Sequence, residues 1–176
     1  MHISQKYHRS QIVLHWVSAA IIIWATLSGF YIAIFDSSAT IRDAISFFNV
    51  SLTTVFIPLF ILRCYYALTL PKPADANTNP WLNFIAHATH RLLYIIIFVV
   101  LFTGVLMMER DINVFNIITL PQPLHDPNVT AWFNRIHIIS CAALGVLVAL
   151  HIAAVIKHEL QGKRLLQRMT PNKNQE

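Results

Sequence analysis

Two histidines within one apolar run are the residues most able to do chemistry in this sequence. His137 and His151 lie fourteen residues apart in the stretch RIHIISCAALGVLVALHIAAVIKH. On a helix this separation is a rise of about 21 Å and leaves both imidazoles within about 40° of one face. In a hydrocarbon slab about 30 Å thick they would lie near opposite surfaces. Neutral imidazole is a common metal ligand, so the pattern favours a membrane helix that offers ligands for haem iron at two depths. The alternative is that each imidazole is a polar group near a helix end, bonded to a neighbour or to water.

Composition predicts the element that positions these histidines. Of 176 residues, 56% are hydrophobic and only 12% are charged, and the mean hydropathy is +0.55. Soluble domains carry about twice that share of charge. We therefore predict an all-α integral membrane protein, a four-helix bundle formed by a single domain over residues 1–176. The predicted spans are about 12–35, 44–70, 84–108 and 132–156.

Charge placement predicts the orientation. The formal net charge is +5, and lysine and arginine concentrate in the N-terminus, in the second loop with its flanks and in the C-terminal tail. The positive-inside rule therefore predicts that both termini are cytoplasmic (N-in, C-in), and it explains the charge without a nucleic-acid partner. Cys64 and Cys141 lie in apolar runs and no Cys-x-x-Cys-His occurs, so covalent haem attachment is not expected.

The predicted depths of the histidines in the membrane divide them between an inner and an outer level. His15 lies near the start of the first span and His151 near the end of the fourth, so both are predicted close to the cytoplasmic surface. Two imidazoles that bind one iron from opposite faces leave no open position, which suits electron transfer. His137 lies near the outer surface, where the second span offers Asn49 at the matching depth. The prediction is thus a complete pair at the inner level and an incomplete one at the outer level.

Arginines near the two levels are candidate partners for haem propionates. Arg63 and Arg91 fall near the inner level, and Arg135 and Arg42 near the outer one. A guanidinium forms strong charge-assisted bonds with carboxylates. The alternative for each is ordinary anchoring of a membrane helix at the interface. The small residues of the fourth span, Ser140 to Gly145, either admit a flat macrocycle or serve helix packing.

Several motifs together resemble the bacterial cytochrome b561 family. They are QIVLHW near the start, AHATHRLLY opening the third span, RIH and ALHIAAVIKH bracketing the fourth, and LLQRM in the tail. The resemblance implies a bacterial inner-membrane protein that binds haem b non-covalently and exchanges electrons with the quinone pool of a respiratory chain. In that family four histidines ligate two haems. His15, His137 and His151 fall on three of those positions, and Asn49 stands where the fourth is expected.

Asn49 leaves three outcomes for the outer haem. It is absent, or His137 alone binds it and leaves it open to small ligands, or His125 of the long outer loop supplies the missing ligand. Asparagine is a poor iron ligand compared with imidazole, so loss or weakening of the outer haem is the hypothesis that we favour.

The reaction itself stays open at this point. The leading interpretation is an electron carrier that works with quinone and an unknown redox donor, and superoxide oxidation coupled to quinone reduction is one activity that the family suggests. His87 and His90 are candidates for a quinone or proton site, or are merely interfacial polar residues. A membrane anchor of a dehydrogenase, and a scaffold or transporter with little or no haem, are the competing functions. A homodimer is compatible with all of them.

Overall fold

Four long helices make up most of the part of the chain that the structure describes. The structure is a computed structural model, and it describes residues 7–71 and 80–170. Within these ranges the helices are α1 (Arg9–Ile34), α2 (Ala39–Thr69), α3 (Pro80–Leu106) and α4 (Pro127–Leu160). Each is long and apolar enough to cross a membrane. The predicted all-α membrane bundle is confirmed, while the cytoplasmic placement of the termini stays a prediction.

The helices begin three to five residues before the predicted spans. Capping residues explain the starts of α1, α2 and α4, because their side chains satisfy backbone N–H groups that have no partner in the first turn. His8 and Gln11 form a reciprocal capping box on α1, Ser38 accepts from Ile41 N on α2, and Asp126 caps α4 ahead of Pro127. Hydropathy marks the lipid-spanning part of a helix, and these caps lie beyond it. Pro58 lies inside α2, which continues past it.

The bundle consists of two helical hairpins. α1 packs mainly on α2, and α3 on α4, whereas contacts between the two pairs are sparser. An apolar cluster from all four helices joins them: Ile21, Ile22, Phe56, Phe60, Ile97 and Leu144. Most large apolar side chains elsewhere on the helices are exposed, as expected for surfaces that face lipid.

One end of the bundle carries the starts of α1 and α3 and the ends of α2 and α4; we call it the terminal end. The tail folds back here in a 3₁₀ helix, Leu165–Met169. Trp16 Nε1 donates to the Met169 carbonyl at 2.8 Å, and Tyr7 N donates to Arg168 O at 3.4 Å. The sequence indicates only a basic tail, because no local pattern shows that its LLQRM segment contacts α1.

The opposite end is closed by a small antiparallel hairpin, β1 (Ile112–Val114) and β2 (Ile118–Leu120), and we call it the hairpin end. Ile112 and Val114 are buried with Met108, and Val50 packs against them. Phe115 in the turn has φ 50, an uncommon value for a bulky residue. Its N–H donates to Ser51 Oγ at 3.0 Å. The strands of this loop are not predicted from the sequence.

Candidate functional site

Near the terminal end each helix contributes one polar side chain to a group that we call the terminal cluster: His15, Arg63, His90 and His151. Arg63 Nη2 donates to His15 Nδ1 at 3.1 Å. The His90 and His151 rings meet edge to face, with centroids 5.4 Å apart at 81°. His15 lies within electrostatic range of both His151 and His90. The structure therefore brings together three predicted site residues, His15, His151 and Arg63, and adds His90.

Contacts of α3 orient this cluster. Arg63 Cζ lies 5.1 Å from the centroid of the Tyr94 ring, a cation–π geometry. His90 Nδ1 lies 2.7 Å from the Ala86 carbonyl, which fixes the direction of its ring. His90 and Tyr94 are four residues apart and so share one face of the helix. The sequence shows this spacing, but it does not show that this face of α3 packs toward Arg63 and His151.

Arg91 differs from Arg63. Its side chain is exposed, and in the described ranges no hydrogen bond or ion pair joins it to His15, His151 or Arg63. Among the outer candidates, Arg135 is exposed as well, and Arg42 Nη2 donates to the Ser37 carbonyl at 3.2 Å. Only Arg63 is thus held against a histidine of the terminal cluster.

Toward the hairpin end, Asn49 is bonded to α1. Its Oδ1 accepts from Trp24 Nε1 at 3.1 Å, and its Nδ2 donates to Ser28 Oγ at 2.9 Å. Ser28 Oγ in turn lies 2.7 Å from the Trp24 carbonyl and is buried. We call these three side chains the amide cluster. Both polar atoms of the amide thus have partners on the neighbouring helix of the same hairpin.

His137 packs against α3. Its Nδ1 lies 3.1 Å from the Val100 carbonyl and 3.2 Å from Thr103 Oγ1. Its Nε2 lies 3.4 Å from the Sγ of Cys141, one turn further along α4. A Cβ built on Gly104 would approach His137 Cε1 to 3.2 Å, so glycine leaves the space in which the ring rests. Both ring nitrogens of His137 are therefore engaged within the α3–α4 hairpin.

The small residues of α4 serve helix packing at one position. A Cβ on Gly145 would lie 2.9 Å from Phe30 Cε2 and 3.4 Å from Thr26 Cγ2. The ring of Phe30 on α1 therefore fills the groove that Gly145 opens. Of the two uses that the sequence allowed for this stretch, helix packing is the one present at Gly145.

His125 does not complete the outer level. Its side chain is exposed in the loop before the α4 cap at Asp126. From Pro127 to His137 the helix rises about 15 Å. In the described part of the chain no contact joins His125 to His137 or Asn49.

The family model of prokaryotic cytochrome b561 matches residues 6–172, nearly the whole sequence. The match agrees with the four apolar helices and with the resemblance of the motifs. The chain thus belongs to the prokaryotic cytochrome b561 family, and it is a multi-pass bacterial membrane protein that binds haem b and transfers electrons.

Proposed function

We propose that this chain carries electrons through one haem b in the terminal cluster, which His15 and His151 would hold, and exchanges those electrons with a membrane quinone. The convergence of one polar side chain from each helix at this depth is the observation that carries the proposal. Ionisable residues inside a membrane are costly to bury, so such a convergence indicates function.

The residues of the terminal cluster fit haem b chemically. Two imidazoles on different helices supply a six-coordinate iron, which favours electron transfer over binding of substrate at the metal. Arg63 supplies a guanidinium for a propionate, and Tyr94 supports it from α3. Arg91, which is exposed, is proposed only as a peripheral partner of a propionate.

The contact between His15 and Arg63 indicates which nitrogen of the His15 ring carries the proton. A guanidinium only donates, so His15 Nδ1 accepts in this arrangement and the ring proton lies on Nε2. Were Nε2 to bind iron, the ring proton would lie on Nδ1 and Arg63 would no longer donate to this nitrogen. The guanidinium would then be available for a carboxylate of the cofactor.

When bound, haem supplies a one-electron carrier. Oxidation of one quinol to quinone releases two electrons and two protons, so two successive one-electron transfers complete it. His90 offers a polar ring beside His151 toward the exposed surface, where a quinone headgroup could accept or donate a hydrogen bond. Its Nδ1 is taken by Ala86, which leaves Nε2 for this contact.

Superoxide is a less favoured substrate. An anionic substrate calls for a positive surface, and the loop at the hairpin end carries Glu109, Asp111 and Asp126 against Arg110. Asp111 and Asp126 accept backbone hydrogen bonds from Gln122 and Asn128. These carboxylates are thus part of the loop structure. No observation in the described residues favours a transporter or a dehydrogenase anchor.

The test is haem content and quinol oxidation of the purified protein and its variants. His15→Ala and His151→Ala should each reduce the pyridine haemochrome signal to less than a tenth of the wild-type value, because one imidazole remains. His125→Ala is the matched control, since it removes an exposed loop histidine and should keep the haem. Wild-type haem should be reduced by a short-chain quinol. Full haem content in His15→Ala, or no haem in the wild type, would refute the proposal.

A further inference from the structure

We infer that the hairpin end of this chain holds no haem, so that electrons enter and leave only through the terminal cluster and do not cross the membrane. This inference rests on the proposed function, because it presumes that the terminal cluster binds the single haem. It concerns where the redox partners act, and it rests on three separate features of the hairpin end.

The first feature is the amide cluster. Asn49 uses its oxygen for Trp24 and its nitrogen for Ser28, both on α1. An imidazole ligand needs a free nitrogen lone pair that points at the iron. The amide offers none, and turning it away would break its hydrogen bonds with Trp24 Nε1 and Ser28 Oγ.

The second feature is the position of His137. The ring lies against Gly104 and Val100 of α3, and Cys141 Sγ lies 3.4 Å from Nε2, the atom that iron would require. At this level α2 carries Asn49 rather than a second imidazole, so His137 would be a single ligand. The His137 contacts join α3 to α4, so the residue contributes to the structure of the second hairpin.

The third feature is the protein packing between the two levels. The buried apolar cluster lies between them, and the Phe30 ring occupies the groove at Gly145. His151 and His137 are separated by a helix rise of about 21 Å. Electron tunnelling falls steeply with distance, so an empty hairpin end isolates the terminal cluster from partners on that side.

Haem stoichiometry tests the inference directly. The wild-type protein should contain one haem per chain by pyridine haemochrome against quantitative amino-acid analysis, with a single low-spin component in the electron paramagnetic resonance spectrum. His137→Gln keeps a side-chain donor for Val100 and should keep this content unchanged. Two haems per chain, or a second high-spin haem lost in His137→Gln, would overturn the inference. Failure of the proposed function looks different, since the wild type would then hold no haem or the His15→Ala variant would keep its full haem content.

Vesicles test the route of the electrons. The purified protein is reconstituted in phospholipid vesicles that contain trapped ferricyanide, with ascorbate outside and no quinone. Ferricyanide reduction should then proceed at the rate of protein-free vesicles. A rate clearly above that background would show electron transfer across the bilayer and would contradict the inference. External dithionite provides the control that the haem is present and reducible.

Discussion

The terminal end and the hairpin end use similar residues in opposite ways. At the terminal end, side chains of the two hairpins face one another: Arg63 of α2 lies against the Tyr94 ring of α3, and His15 of α1 lies within electrostatic range of His151 of α4. At the hairpin end, Asn49 is bonded within the α1–α2 hairpin and His137 within the α3–α4 hairpin. The comparison teaches that a histidine at a suitable depth is not enough for a cofactor site. A second imidazole at the same depth, on the other hairpin, is also required.

The largest expected effect is a gain of haem at the hairpin end. Asn49→His supplies the imidazole that the family pattern lacks here, so haem content should rise from one toward two per chain, with a second low-spin signal. Asn49→Gln is the control, because it changes the amide without adding a ligand, and it should stay at one. A folded Asn49→His protein with one haem would show that the contacts of His137 with Cys141 and α3 prevent this histidine from binding haem.

The next effect concerns charge at the terminal end. Arg63→Gln removes a positive charge beside His15, which favours the oxidised form of a nearby iron. A change of about 1–2 kcal/mol at this distance lowers a one-electron potential by roughly 40–90 mV. Spectroelectrochemical titration measures it. Arg42→Gln is the control, because the Arg42 guanidinium contacts the Ser37 carbonyl at the hairpin end. This variant should leave the potential unchanged. Equal shifts of the reduction potential in both variants would show that the position of Arg63 beside His15 has no particular effect on the haem.

A smaller effect is expected for stability at the amide cluster. Asn49→Ala deletes the bonds to Trp24 and Ser28 and should lower the free energy of unfolding by about 1–2 kcal/mol. Thermal unfolding in detergent reports it as a lower Tm, with haem content unchanged. Asn134→Ala, an exposed asparagine on α4, is the matched control. If both variants unfold alike, the amide cluster does not stabilise the α1–α2 hairpin.

The smallest expected effect is a difference in stability between alanine substitutions at two glycines. Gly145→Ala places a methyl group 2.9 Å from the Phe30 ring, which must shift, so we expect a loss of up to about 1 kcal/mol. Gly29→Ala meets nothing within 4 Å and should gain roughly 0.5–1 kcal/mol from helix propensity. The Tm values in one detergent compare them. A higher Tm for Gly145→Ala than for Gly29→Ala would contradict the packing of Phe30 on Gly145.

Much of this architecture was predictable because it depends on local patterns. Long apolar runs predicted four spanning helices, and the structure has them. The depth of His15 and His151 followed from their distance to the ends of the spans. The helix caps at His8 and Asp126 and the hairpin in the long loop were not predicted, because hydropathy does not report hydrogen bonds outside the membrane.

The sequence by itself determined the class of protein, the family resemblance, the chemical types at each depth and the missing fourth histidine. Only the tertiary structure decided which neighbour each side chain meets. Arg63 contacts His15 and Tyr94, Asn49 turns to Trp24 and Ser28, and His137 turns to α3. The physical reason is that apolar content and helical period fix the length and depth of a span, but its rotation and its partners depend on packing among all the helices.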